Sequence, residues 1–295
     1  MSNTGSGAKA LYSNTMGSTN TATGAYALFS NTFGSSNTAS GASALRNNTL
    51  GNNNVATGAY ALQANSTGYA NTANGTSALE INSSGNENTA IGMEALTNSN
   101  GNNNTALGLL AGASITAGSN NIMIGNQGTS SDDHAIRVGD VQTSTFIAGI
   151  RGATTGQSNA VTVVIDSNGQ LGTVNSSRRF KEDIQDMGDA STNLMRLRPV
   201  TYRYKQPYAD GLKPLDYGLI AEEVEEVYPD LVAKNNAGQI ETVQYQKLTP
   251  MLLNELQKEH EKAQERDETI RLLRDRLAAV EAFLSGKGPT PTSGK

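Results

Sequence analysis

Apolar positions in the first 131 residues recur with a period of seventeen. Ala27-Leu28 returns as Ala44-Leu45, Ala61-Leu62, Ala78-Leu79 and Ala95-Leu96, and Asn20-Thr21 returns as Asn37-Thr38, Asn54-Val55, Asn71-Thr72 and Asn88-Thr89. Glycines keep step at Gly7, Gly24, Gly41, Gly58, Gly75 and Gly92, and again at Gly17, Gly34, Gly51, Gly68 and Gly85. The unit reads G-x-x-N-T-A-x-G-x-x-A-L-x-x-N-x-x. One step shortens to sixteen, from Asn88 to Asn104, before the pattern fades through Asn121-Ile122 and Gly125. A strict period of this kind is what a solenoid of stacked coils requires. Seventeen residues is too short for helical repeats, whose units run to ~33 or more. Two glycines and several Asn or Ser per unit also disfavour helix. A β-coil remains, with short strands at Asn-Thr-Ala and Ala-Tyr-Ala-Leu. Gly and Asn would take the corners, where φ is positive, and Asn and Thr would stack in ladders between coils.

Each coil offers one Leu and two or three Ala to a core. At ~25 cal/mol per Å² that is a few kcal/mol, against ~1–2 kcal/mol for ordering each residue. A thin core of this kind implies an obligate oligomer that covers further surface. These repeats resemble the head repeats of trimeric surface adhesins, left-handed β-rolls packed three together, although those repeats are usually shorter. The resemblance implies a trimeric β-solenoid (β-roll) shaft or head over residues 1–131.

The register changes at 132–175. Ile136-Arg137-Val138, Thr145–Ile150 and Ala160–Ile165 are rich in β-branched residues and predict strands. Asp166-Ser167-Asn168-Gly169 is a turn signal between extended segments. Together they predict a β neck. His134 follows Asp132-Asp133 in a polar loop and reads as a surface side chain rather than a ligand.

Helical spacing begins further on. Asp189–Leu197 predicts a short amphipathic helix ended before Pro199, and Val200–Lys205 alternates as a strand. Leu219–Tyr228 predicts a helix with Ile220, Val224 and Val227 on one face. Glu222 and Glu226, spaced like a metal pair, read as part of a solvated acidic face. Leu252, Leu256, Glu259, Ala263, Arg266, Ile270, Leu273, Leu277, Val280 and Leu284 follow the 4-3 spacing of a coiled coil, with His260 beside the seam. Residues 285–295 predict a disordered tail.

Composition and charge narrow the chemistry. Of 22 Lys+Arg and 27 Asp+Glu, residues 1–131 hold only Lys9, Arg46, Glu80, Glu87 and Glu94. The three glutamates read as solvated charges, too few for paired-carboxylate glycosidase chemistry. Tyr26, Tyr60 and Tyr69 read as partly packed rather than as glycan platforms. There is no cysteine, so disulfides, thiolate metal sites and a cysteine nucleophile are excluded. His134 and His260 are far apart in sequence, which argues against a histidine metal site or a Ser-His-Asp triad. No cofactor and no metal are expected. A net charge of −5 disfavours nucleic acid as a partner. No apolar run reaches the ~20 residues needed to span a membrane. The N-terminus lacks the apolar stretch of a signal peptide, so synthesis in the cytoplasm without Sec-directed export, or a missing upstream piece, is expected.

The chemistry concentrates after Val174. The block begins Asn175-Ser176-Ser177-Arg178-Arg179-Phe180-Lys181-Glu182-Asp183-Ile184 and continues Leu197-Arg-Pro-Val-Thr-Tyr-Arg-Tyr-Lys205. Then come Tyr217-Gly-Leu-Ile-Ala-Glu-Glu-Val224, Val227-Tyr-Pro-Asp-Leu-Val232 and Thr242-Val-Gln-Tyr-Gln-Lys-Leu248. Over roughly 176–284 this string resembles the C-terminal intramolecular chaperone of phage tail spikes and endosialidases. The resemblance implies a module that trimerises the chain and then cuts itself off. Family members cleave just before a serine, with a lysine five positions later completing a Ser-Lys dyad. Here the matching pair is Ser176 and Lys181, and the scissile bond is Asn175–Ser176. Many members carry Asp after the serine, where this chain has Ser177. A serine hydroxyl needs a base, and lysine serves only when burial or nearby cations favour its neutral form. Arg178 and Arg179 stand beside the site as possible tuning cations.

These readings combine into a mainly β chain with a C-terminal α+β part. Residues 1–131 form the solenoid, 132–175 the β neck, 176–250 the chaperone and autoprotease domain, 251–284 a trimeric coiled coil and 285–295 the tail. The expected function is a structural, adhesive homotrimeric fibre protein, placed on a virion tail or a cell surface. Its only expected activity is a single-turnover serine endopeptidase acting on itself. Its partners are its own copies and a host-surface glycan or protein receptor bound through the repeats. Two other classes stay open: a bacterial surface adhesin with an uncleaved trimerisation domain, and a polysaccharide depolymerase tail spike.

Overall fold

The computed structural model describes residues 2–286. It divides into two compact units, Met1–Gly152 and Ala153–Lys295. Of the tail expected over 285–295, residues 287–295 lie outside the described residues.

The first unit is a β-solenoid. Its strands are β1 (Thr4–Ser6), β2 (Thr21–Thr23), β3 (Thr38–Ser40), β4 (Val55–Thr57), β5 (Thr72–Asn74), β6 (Thr89–Ile91), β7 (Thr105–Leu107), β8 (Ile122–Ile124) and β9 (Ile136–Val138). They form one parallel sheet in chain order. The register follows the sequence period: Thr21 pairs with Thr38, Thr38 with Val55 and Val55 with Thr72. The sixteen-residue step is absorbed without loss of register, because Thr89 pairs with Thr105. In each central strand the middle Ala points inward and its neighbours outward. Coil after coil, the core is one strand Ala plus one Ala-Leu pair, such as Ala39, Ala44 and Leu45.

The expected strand at Ala25-Tyr26-Ala27-Leu28 is a turn instead. Tyr26 and Leu28 have φ of 59° and 49°, and Leu45, Leu62, Leu79 and Leu96 repeat this left-handed geometry. In an extended strand neighbouring side chains face opposite ways. Here Ala27 and Leu28 are both fully buried. A left-handed Leu costs ~1–2 kcal/mol, and burying the side chain returns about 1.5–3 kcal/mol. The backbone keeps its partners through the bend, as Leu28 N–H donates to Ala44 O at 3.1 Å and Tyr26 N–H to Ala8 O at 2.9 Å.

Two columns of buried asparagine run beside the apolar core. Asn37 Nδ2 donates to Asn20 Oδ1 at 3.2 Å and to Gly51 O at 2.8 Å. In the other column, Asn48 Nδ2 donates to Asn31 Oδ1 at 2.7 Å and to that same Gly51 O at 2.9 Å. Both glycine columns leave room for a carbonyl of the next coil, and one of them also needs a glycine backbone. Gly24, Gly41 and Gly58 hold φ of 130°, 144° and 125°, a region open mainly to glycine. Gly51 has no such φ, but a Cβ there would stand 2.3 Å from both Asn48 Oδ1 and Gly68 O.

The last coil closes on an ion pair. The Asp132 carboxylate is almost wholly buried and accepts from Arg137 Nε and Nη2, both at 2.7 Å, and from Thr129 N–H at 2.8 Å. The Arg137 contact, with the Thr129 hydrogen bonds, holds this carboxyl below its ordinary value despite the opposing cost of burial.

The second unit contains three short antiparallel pairs. β10 (Val163–Ile165) pairs with β11 (Leu171–Thr173), β12 (Val200–Tyr202) with β13 (Asp216–Gly218), and β14 (Val232–Lys234) with β15 (Ile240–Val243). The expected turn at Asp166–Gly169 joins β10 to β11, with Gly169 N–H donating to Asp166 O at 3.0 Å. Thr145–Ile150, expected as a strand, forms none. A strand exists only against a hydrogen-bonding edge, and none of the described residues supplies one there. Gly188–Arg196 is 3-10 rather than α-helical. Among the described residues, α1 (Ala221–Val227) and α2 (Tyr245–Leu284) are the two α-helices. Leu194, Val224, Leu231, Val243 and Met251 form the small core of this unit.

Candidate functional site

Ser176 follows the β10–β11 hairpin. Beyond it, Arg178–Phe180 makes a single 3-10 turn. Phe180 N–H donates to Ser177 O and Lys181 N–H to Arg178 O, both at 3.0 Å. Ser177 makes no side-chain cap on this turn. Every residue from Asn175 to Asp186 is exposed. The single chain does not join Ser176 to Lys181: among the described residues, neither Ser176 Oγ nor Lys181 Nζ takes part in a hydrogen bond. The Arg179 guanidinium lies 4.7 Å from the centre of the Phe180 ring. That cation–π contact holds it on its own neighbour, while Arg178 has no ion pair among the described residues.

An exposed, locally folded turn can present both side chains without setting the distance between them. Five positions spanning one 3-10 turn leave the serine and lysine free to rotate separately. An attacking hydroxyl and its base must stand within ~2.6–3.2 Å, although such contacts often tighten only in the reacting complex. Apolar side chains in and beside the segment are uncovered. Phe180 and Ile184 after Ser176, and Leu171 and Val174 before it, are each more than half exposed. So are Val163 and Ile165 of β10.

The other candidate residues fall apart. Glu80, Glu87 and Glu94 have no cationic partner among the described residues. His134 sits on the surface between Asp133 Oδ2 at 2.8 Å and Asn120 Nδ2 at 3.1 Å. Tyr26 is partly packed, with Lys9 at 5.5 Å and Arg46 at 5.3 Å from its ring centre; Tyr60 and Tyr69 are exposed. Near Glu222 and Glu226, the intervening acids take basic partners: Glu223 pairs with Arg198, and Glu225 with Lys234 at 2.6 Å. Among the described residues no helix is long and apolar enough to cross a membrane.

One polar cluster had no signal in the sequence. Ser191, fully buried, donates to Glu255 Oε1 at 2.6 Å and accepts from Asn254 Nδ2 at 2.6 Å. Lys258 Nζ reaches Glu255 at 3.1 Å and Asp189 at 3.4 Å. These contacts hold the Glu255 carboxyl low, the Ser191 hydrogen bond most and the Lys258 bond next. The cluster ties the 3-10 segment to α2 across 64 positions. No spacing rule joins residues so far apart.

Residues 176–233 match the peptidase S74 family model, described as the chaperone of endosialidase. The matched segment opens at Ser176 and runs through α1 to β14. The chain matches no curated protein and no solved structure.

Proposed function

We propose that this chain is a homotrimeric fibre protein whose C-terminal part is an intramolecular chaperone that brings three copies into register and then releases itself. The observation that carries this reading is the chaperone-of-endosialidase match over 176–233. Two features support it. The solenoid is a shaft-like repeat with few charges, suited to a fibre. The apolar seam expected on α2 is uncovered in the single chain, with Leu252, Leu256, Leu273, Leu277 and Val280 each more than half exposed. Helices with such a seam associate through it.

Release would proceed at Asn175–Ser176. Ser176 Oγ adds to the Asn175 carbonyl carbon while Lys181 Nζ accepts the hydroxyl proton. The tetrahedral adduct expels the amide nitrogen, which takes that proton and becomes a free amine, leaving an ester on Oγ. Water then hydrolyses the ester, restoring the hydroxyl and leaving a carboxylate on Asn175. Lys181 needs its neutral form for the first step. Covering this exposed segment with neighbouring copies, beside Arg178 and Arg179, would favour that form. Cutting would then follow assembly, and the released shaft would be held by a kinetic barrier. The fibre would act on a virion tail or a cell surface, with a glycan or protein receptor on the repeats.

Mass spectrometry of the expressed full chain tests the reading. The expected result is a fragment beginning at Ser176, absent from Ser176→Ala. An intact chain in both, still trimeric, would leave a permanent trimerisation domain and favour the adhesin reading.

A further inference from the structure

The outward positions of the solenoid sheet change character along an otherwise constant repeat. In β1, β2, β3 and β5 the first and third residues are Thr, Ser or Asn. β4 carries one apolar residue there, Val55; from β6 the third position is always apolar, and from β8 the first is too, after Thr89 and Thr105 in β6 and β7. Ile91, Leu107, Ile124 and Val138 stand in one in-register column, and Ile122 faces Ile136 in the other. The inward Ala positions do not require this change, since β6 and β7 bury the same Ala as β2 to β5. The apolar residues are therefore not there for the core of their own chain.

We infer that this outward face of β6 to β9 is the surface through which copies of the chain pack against one another. The inference rests on the self-associating reading above and names where in the shaft association occurs. Area is one argument. The six side chains are 38–69% exposed and present on the order of 600 Å², at the top of the range for a monomer's largest apolar patch and approaching the ~800 Å² each partner gives to a standard interface. Charge is another. The two columns hold no ionisable side chain from β6 to β9, so identical faces meet without repulsion, and Arg137, between them, is neutralised by Asp132. Position is the third. The apolar columns end at Val138, 38 residues before Ser176 in sequence. Copies tethered by a C-terminal chaperone have their highest effective concentration in the coils nearest the tether. The distal coils, with Thr and Ser in the same columns, are later and weaker partners.

The absence of cysteine makes a direct test possible. Full-length Ile124→Cys and Ser40→Cys carry single thiols in the same column, one inside the apolar face and one outside it. A short bis-maleimide is added, and sedimentation velocity is recorded on the same samples. Thiols held together at an interface should join copies at least about tenfold faster at Ile124→Cys than at Ser40→Cys. Adding Ile122→Asp and Ile136→Asp should suppress that cross-link while the α2 helices keep the chains associated. An oligomer with equal cross-linking at both sites, or one unaffected by the two aspartates, overturns the inference and leaves the chaperone reading standing. A full chain that sediments as a monomer overturns both.

Discussion

Asn100 Oδ1 accepts the backbone N–H of Gly85 at 3.2 Å, and with it those of Ser84 and Ser83, both at 2.9 Å. Elsewhere a main-chain carbonyl does this work: Thr49 O accepts from Thr32, Phe33 and Gly34 at 3.3, 3.0 and 3.1 Å. The sixteen-residue coil lacks one residue, and a side-chain oxygen replaces the missing carbonyl.

Asn100→Ala should therefore destabilise the solenoid, by ~1–2 kcal/mol, because the three donors sit in a turn that water reaches in part. Asn100→Asp should match the wild type or exceed it at pH 7, since an ionised acceptor strengthens each bond. Urea unfolding of the full chain, followed by circular dichroism, separates the two. Equal losses in both variants would show that the contact does not matter.

The two kinds of glycine make opposite demands. At Gly51 an added Cβ meets backbone and a buried Asn at 2.3 Å, and neither can move without breaking the ladder. Gly51→Ala should cost ~3 kcal/mol or more. Gly125 has φ of 57° with nothing within 4 Å of a Cβ. Gly125→Ala should cost only the ~1–2 kcal/mol of a left-handed residue. Paired thermal melts check the order.

Acid should loosen the last coil first. The Asp132 carboxyl is held below its ordinary value of 3.8, chiefly by Arg137. Its contribution is complete above that ordinary value and is lost as pH falls through it towards the lowered one. Hydrogen exchange in peptides spanning β8 and β9, corrected for intrinsic rates, should rise below about pH 4. Asp132→Asn should show the faster exchange already at pH 7 and lose the acid dependence.

If Lys181 is the base, Lys181→Ala should slow release by ~10²–10⁴-fold while trimers still form. The readout is the fraction cut against time on denaturing gels, with oligomeric state by sedimentation. Cutting at the wild-type rate would remove Lys181 from the mechanism.

Ser191→Ala removes the hydroxyl between Glu255 and Asn254. The Glu255 carboxylate keeps Lys258, so the expected loss is ~1–3 kcal/mol, confined to the second unit. Proteolysis between 188 and 197 should speed up with no change in the solenoid.

The period of seventeen residues was enough to set the solenoid, its strand register and its Ala-Leu core. Each coil meets only copies of its own pattern, so a local repeat determines the long-range contacts. The order of motifs after Ser176 likewise marked the chaperone segment. The sense of the bend at Tyr26-Ala27-Leu28 was settled only in three dimensions. Alternating residues suit a strand, but two adjacent buried side chains force a left-handed turn. Tertiary structure also separated the glycines that need both a positive φ and room for a neighbouring carbonyl from those that need the room alone. Asn100 took over a missing backbone oxygen, and Ser191 found Glu255 across 64 positions, through proximity that no spacing along the chain encodes. The same holds for Ser176 and Lys181. Their separation in sequence is fixed, but an exposed turn does not fix their separation in space, and packing around that turn is what would do so.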